Sequence, residues 1–176
     1  MTHKTLIAFG FLALLPACAT AASGQPAAAP AEVELRGADG APAGAVSLTG
    51  APGGVLIRVR ATGLPPGWHG THLHAVGRCQ DAIQSAGGHI NHAPEARPHG
   101  LLNPAGPDLG DLPNLHVAAD GDGAAEMFTA LVTLDGLRDA DGSALVIHAG
   151  PDDHVTQPIG GAGARIACAV LSPPRD

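Results

Sequence analysis

Two stretches of alternating side chains, Ala45-Val46-Ser47-Leu48-Thr49 and Val55-Leu56-Ile57-Arg58-Val59-Arg60, flank the break Gly50-Ala51-Pro52-Gly53-Gly54. A period of two marks a strand with one buried face, and two such runs around a Gly/Pro break form a hairpin. In the second run Val55, Ile57 and Val59 are expected to face a core while Arg58 and Arg60 face water. The same reading predicts further short strands at 68–74, 115–118, 125–129, 144–148 and 165–170. The 25 glycines and 16 prolines among 176 residues, with 2% aromatics, fit a sheet protein with many turns. The length fits one domain after removal of a leader.

The N-terminus reads as that leader, residues 1–18: Lys4 supplies positive charge, Leu6 to Leu15 form an apolar core, and small residues follow. The apolar run is too short for a comfortable membrane span. Its end, Leu15-Pro16-Ala17-Cys18, resembles a bacterial lipoprotein cleavage site, in which Cys18 becomes the lipidated first residue; several acyl chains anchor a domain stably. Ordinary cleavage near Ala19-Thr20-Ala21, with release, is the alternative. The chain has three cysteines, and an odd cysteine in an exported protein asks for a role outside an internal pair, which lipidation of Cys18 supplies. Residues 19–31 are Ala, Pro, Gly and small polar residues and read as a flexible tether to a folded domain at 32–176.

Two loops, Ala75 to Pro113 and Ala149 to Gly163, are too long for simple turns, and long loops inside a compact domain are usually functional. A net charge of −7 with dispersed basic residues argues against a nucleic-acid interface. Chemistry concentrates in Trp68-His69-Gly70-Thr71-His72-Leu73-His74, where His72 and His74, one residue apart on a strand, project from the same face and can grip one metal ion. His89, His99, Asp108, Asp111 and His148 follow. Such a supply of nitrogen and carboxylate donors points to two metals: imidazoles suit copper and zinc, and carboxylates serve zinc as well.

Five motifs occur in order: the 68–74 segment, Ser85-Ala86-Gly87-Gly88-His89, Gly110-Asp111-Leu112-Pro113-Asn114, His148-Ala149-Gly150-Pro151-Asp152-Asp153, and Gly163-Ala164-Arg165-Ile166-Ala167-Cys168. On these residues the chain, from Val33 to Leu171, resembles the copper/zinc superoxide dismutases, specifically their bacterial secreted branch. The resemblance implies an all-β fold, a Greek-key sandwich or flattened barrel of about eight antiparallel strands with two long functional loops, as is known for that family. It implies His72, His74, His89 and His148 as copper ligands and His89, His99, Asp108 and Asp111 as zinc ligands. A histidine is expected at Asp108, and the interval from His89 to His99 is about two residues longer than usual. A carboxylate is an acceptable zinc ligand, so two histidines and two aspartates form a chemically possible set. His92 and His116 lack the family spacing and read as loop histidines.

The resemblance further implies that Asp152 links His72 to His99 by accepting their ring protons. It implies a Cys79–Cys168 disulfide, a bond that persists in an oxidising compartment. Arg165 would attract and orient a small anion beside copper. His89 would bridge the two metals and carry a proton. The implied activity is dismutation of superoxide to dioxygen and hydrogen peroxide, in the periplasm or cell envelope, either lipid-anchored or soluble. The competing reading is a noncatalytic copper-binding or copper-buffering protein on the same fold, since sites rather than folds determine function. Nothing in the sequence distinguishes a monomer from a dimer.

Overall fold

The computed structural model describes Met1 and residues 31–92, 94 and 96–175. The predicted leader with Cys18 and the predicted tether lie, but for Met1 and Ala31, outside the described residues. Among the described residues there are nine strands: β1 Glu32–Gly37, β2 Pro42–Ala51, β3 Gly54–Ala61, β4 Gly67–His69, β5 Thr71–His74, β6 Leu115–Val117, β7 Gly123–Thr129, β8 Ser143–His148 and β9 Arg165–Ser172. They form one antiparallel sheet in the order β4-β6-β7-β3-β2-β1-β9-β8-β5. Its two end strands, β4 and β5, are neighbours in the chain, so the sheet curls into a nearly closed barrel. The all-β expectation holds.

The hairpin lies where the alternation places it, but β2 and β3 run further, and only Pro52-Gly53 remains as the turn. Gly53 has φ +76, a conformation that glycine reaches without a steric penalty. Val55, Ile57 and Val59 are buried, Arg58 is half-buried and Arg60 exposed. Arg58 pairs across the sheet with Glu126 of β7 at 2.5 Å, a surface contact worth at most about 1 kcal/mol.

The predicted single strand over 68–74 is two strands, and with β1, which was not among the seven segments predicted, this makes nine where the resemblance implies about eight. The break is Gly70. Its N–H donates to Gly150 O at 2.8 Å and its carbonyl accepts from His148 N–H at 2.9 Å, so the chain leaves β6 and joins β8 there. A Cβ at position 70 would lie 2.8 Å from Ala162 Cβ and 3.2 Å from Asp152 Cβ. Only a glycine lets the strand pass this close to the 149–163 loop.

All four residues of β5 and all six of β8 are buried, which half-buried strands never show. Both faces of these strands are covered. Leu73, Leu145 and Ile147 point into the barrel core, while Ala144 and Val146 pack with Ile83, Ala86 and Cys168 under the 75–113 loop. By the two-residue period His72, His74 and His148 lie on the loop-covered side. The barrel wall therefore serves as the floor of a site roofed by the two long loops.

Candidate metal centre

His72 and His74 come from β5 and His148 from the end of β8, while an isolated bridge between His74 and His89 brings the 75–113 loop alongside. One ring nitrogen from each of the four lies within 4.8 Å of the others. The rings of His72 and His89 are 4.1 Å apart between centroids, and those of His72 and His148 are 4.9 Å apart.

The hydrogen bonds decide which nitrogen faces inward. His72 Nε2 donates to Asp152 Oδ2 at 2.8 Å, His74 Nδ1 to Gly87 O at 3.0 Å, His148 Nδ1 to Gly163 O at 2.9 Å and His89 Nδ1 to Asp108 Oδ2 at 2.9 Å. Those oxygens can only accept, so the protons sit on these nitrogens and the lone pairs on the others. The other four, His72 Nδ1 and the Nε2 atoms of His74, His89 and His148, are buried and have no hydrogen-bond partner among the described residues. Four orphaned, buried lone pairs aimed together form a cation site, and an all-imidazole set suits copper. Burial pushes the His72 ring down to about 4 and the His74 ring to about 2, and lowers His148 as well. The three rings are thus neutral near pH 7, the state a metal ligand requires.

A second set lies behind His89. Its Nδ1 is 2.9 Å from Asp108 Oδ2 and 3.8 Å from Asp111 Oδ1; His99 Nδ1 is 2.5 Å from Asp111 Oδ1 and 3.9 Å from Asp108 Oδ2. Each carboxylate uses its other oxygen on the backbone. Asp111 Oδ2 accepts from Gly100 and Asp108 N–H, and Asp108 Oδ1 from Gly110 N–H. Burial, helped by the neighbouring Asp108 charge, raises the Asp111 carboxyl. Two carboxylates buried side by side need a cation between them, and two imidazoles with two carboxylates suit zinc. His72 also lies within 4.8 Å of His89, His99 and Asp111. Its Nε2 is already spent on Asp152, however, and its Nδ1 faces the first set, so Asp108 makes the better fourth donor.

Asp152, in the 149–163 loop, joins the two sets. Its Oδ2 accepts from His72, and its Oδ1 accepts from His99 Nε2 at 3.2 Å and from His154 N–H at 2.6 Å. Burial alone would raise this carboxyl; the His72 hydrogen bond and the His154 N–H outweigh it and hold the group well below the usual carboxylate range. Asn114 grips the backbone of Asp152 through both N–H and carbonyl. Gln157 grips the backbone of His99 in the same reciprocal way, at 2.9 and 2.7 Å.

Arg165 begins β9 and sits in register with His148. Its guanidinium donates to Ile83 O at 2.8 Å and to Gly87 O at 2.6 Å, the latter being the carbonyl that also holds His74. The Cys79–Cys168 disulfide staples the segment carrying both carbonyls to β9. Arg165, His74 and His89 line one cavity of about 320 Å³, together with Asp108, Gln157 and Arg97.

Among the residues singled out in the sequence, both proposed ligand sets, Asp152 and Arg165 converge here. His92 and His116 do not. His92 is exposed, and His116, expected in a loop, lies instead on β6, where it pairs with and packs against the exposed Trp68 with ring centroids 4.8 Å apart on the outer wall. His69, within the same motif as His72, instead contacts the carbonyls of Pro65 and His148, each at 2.7 Å. Asn114, Gln157, Arg97 and the Gly87 carbonyl were not singled out. Asn114 and Gly87 lie inside the quoted motifs, but the parts of Asn114, Gln157 and the Gly87 carbonyl depend on contacts with segments far along the chain, and Arg97 enters only by lining the cavity.

A family model described as "Copper/zinc superoxide dismutase (SODC)" matches residues 42–171. A curated relative, "Superoxide dismutase [Cu-Zn]" of Caulobacter vibrioides, is 51% identical over 144 residues, covering 78% of this chain and 82% of that protein. Among solved structures, a "SOD-like protein" from Bacillus subtilis matches with a TM-score of 0.71 and 36% identity, covering 80% of this chain and 97% of that one. The "Cu/Zn superoxide dismutase from Brucella abortus" matches with a TM-score of 0.66 and 30% identity, over 81% and 99% of the two chains. With two metal-fitting donor sets on a nearly closed barrel and matches of this extent, the chain belongs to the copper/zinc superoxide dismutase family.

Proposed function

We propose that this protein disproportionates superoxide, converting two superoxide anions and two protons into dioxygen and hydrogen peroxide. The observation that carries the reading is the convergence of four orphaned imidazole nitrogens, two of whose rings, His74 and His89, line one cavity together with a fixed guanidinium. Copper held by His72, His74, His89 and His148 would supply a one-electron couple, accepting an electron from one superoxide and returning it to the next. Arg165, with two of its donors on Ile83 and Gly87 carbonyls, keeps its remaining N–H groups for a small anion. His89 belongs to both sets, and its Nε2 is the atom on which a proton can be held and delivered to product. Asp152 keeps the His72 and His99 rings in fixed tautomers. Zinc fits the His89, His99, Asp108 and Asp111 set, where it would neutralise the two carboxylates and position the His89 ring.

The net charge of −7 opposes approach of an anion over long range, so the local field of Arg165 and the metals must prevail near the mouth. The deciding experiment is reconstitution with copper, then zinc, with elemental analysis and a superoxide-decay assay at each stage. Activity that follows copper loading supports the enzyme. Full copper occupancy without activity would leave the copper-buffering reading. We also infer export to the cell envelope, supported by the leader pattern at 1–18 and by a disulfide that needs an oxidising compartment. Lipid attachment at Cys18 predicts a membrane-bound mature protein that Cys18→Ser releases.

A further inference from the structure

Asp108 makes a contact that a metal ligand does not require. Its Oδ2 lies 2.9 Å from His89 Nδ1, and His89 Nε2 faces the copper set without a hydrogen-bond partner. A carboxylate only accepts, so the contact puts the proton on Nδ1 and leaves the lone pair on Nε2. A histidine at position 108 could donate or accept and would fix neither tautomer. Asp108 is itself held, at 3% exposure, by Gly110 N–H on Oδ1 at 2.9 Å. Gly110 O in turn accepts from Leu73 N–H at 2.8 Å, between His72 and His74. A Cβ at Gly110 would lie 2.4 Å from Leu73 O, so this close approach needs the glycine. The strand that supplies two nitrogens to the copper set is thus the one that steadies Asp108 against His89. Asp111 cannot replace Asp108 in this contact, because its Oδ1 is 3.8 Å from His89 Nδ1 and its Oδ2 accepts two backbone N–H groups.

We propose that Asp108 is a positioning residue with two states: a ligand of zinc when zinc is bound, and otherwise the acceptor that locks His89 in the tautomer whose Nε2 completes the copper set. The copper set of this chain then forms at full strength without zinc. The inference rests on the assignment of His89 to copper under the proposed function. A carboxylate that accepts the distal N–H of a metal-binding histidine orients the ring, and losing such a partner typically costs 10–100-fold in metal affinity.

The test is Cu(II) affinity in zinc-free protein, measured by competition with a chelator for wild type, Asp108→Ala and Asp108→His. The His89 tautomer is read separately by ¹⁵N NMR of each metal-free protein. Wild type should show a proton on His89 Nδ1 and a copper affinity that changes less than about threefold when zinc is added. Asp108→Ala should lose that tautomer preference and bind copper about 10–100-fold more weakly. Asp108→His should bind copper weakly without zinc and recover with it, which decides the matter if the alanine variant fails to fold. The proposal is overturned if zinc-free copper affinity is the same in all three proteins, or if wild type needs zinc for tight copper binding. Inactivity of the fully loaded wild type would defeat the dismutase reading and leave these affinity results standing.

Discussion

At the scale of single residues, one rule sorts the histidines: a ring with one nitrogen on a fixed acceptor and the other orphaned points at a metal. His148 satisfies it, through Gly163 O and an unpartnered Nε2. His154 does not: its Nδ1 is also unpartnered, but its Nε2 faces a donor, Asn114 Nδ2 at 3.3 Å, and it belongs to neither set. His148→Ala should therefore lower copper affinity and activity by tenfold or more, about the loss expected when a coordination partner goes, whereas His154→Ala should leave copper binding unchanged. Chelator competition on both variants checks this, and equal losses would refute the assignment. Arg165→Ala should retain copper yet slow superoxide decay by about tenfold or more, with a weaker dependence on ionic strength. Loss of copper in that variant would mean that the guanidinium holds the site together and does not guide an anion.

At the scale of elements, the crossing at Gly70 and the stapled segment around Gly87 position the chemistry. Gly70→Ala would drive a methyl group into Ala162 and Asp152, and overpacking of this kind costs about 1–3 kcal/mol. Because Asp152 holds His72, copper affinity should fall together with the thermal midpoint. The disulfide closes a loop with a sequence separation of 89, worth about 4.5 kcal/mol in the chain-entropy account. Its reduction should lower stability by that order and also slow turnover, since the Ile83 and Gly87 carbonyls on the freed segment hold Arg165. Denaturant unfolding and superoxide decay, with and without reductant, separate the two effects.

For the whole molecule, the metal site is also a point of instability. Metal-free His72 has its pKa lowered by burial from 6.5 to about 4 and His74 to about 2. Between those values and 6.5 the unfolded chain binds protons that the folded chain refuses, so stability must fall as pH falls through this window and level off above it. For His72 alone the loss between pH 7 and pH 4 is on the order of 3 kcal/mol. The thermal midpoint of the metal-free protein should drop across that range. Copper should raise the midpoint most at neutral pH, where the rings are free of protons. A flat midpoint from pH 7 to pH 4 would show that the rings are not buried in the metal-free fold.

Much of this was legible in the chain because it is local. The period-two runs located β2 and β3, short apolar or alternating segments located β7 and β8, and the spacing of His72 and His74 put both rings on one side of a strand. The ordered motifs carried the rest of the converging residues. β1 was not predicted: Glu32-Val33-Glu34-Leu35-Arg36 does alternate, but with only two apolar residues the run is short, and its place between β2 and β9 is what buries Leu35. Nor was the split at Gly70, since both halves alternate alike and the glycine breaks the ladder only because another loop presses on it.

Side-chain chemistry belongs to the sequence, and so do the kinds of donor, their order, and the punctuation that makes a sheet of short strands; these need no neighbour to be read. Tertiary structure alone decided which nitrogen of each ring carries its proton, that Asp108 meets His89, and that a glycine carbonyl holds both Arg165 and His74. Those choices are made by hydrogen bonds between segments tens of residues apart, and a hydrogen bond exists only once the barrel has brought its two ends within about 3 Å.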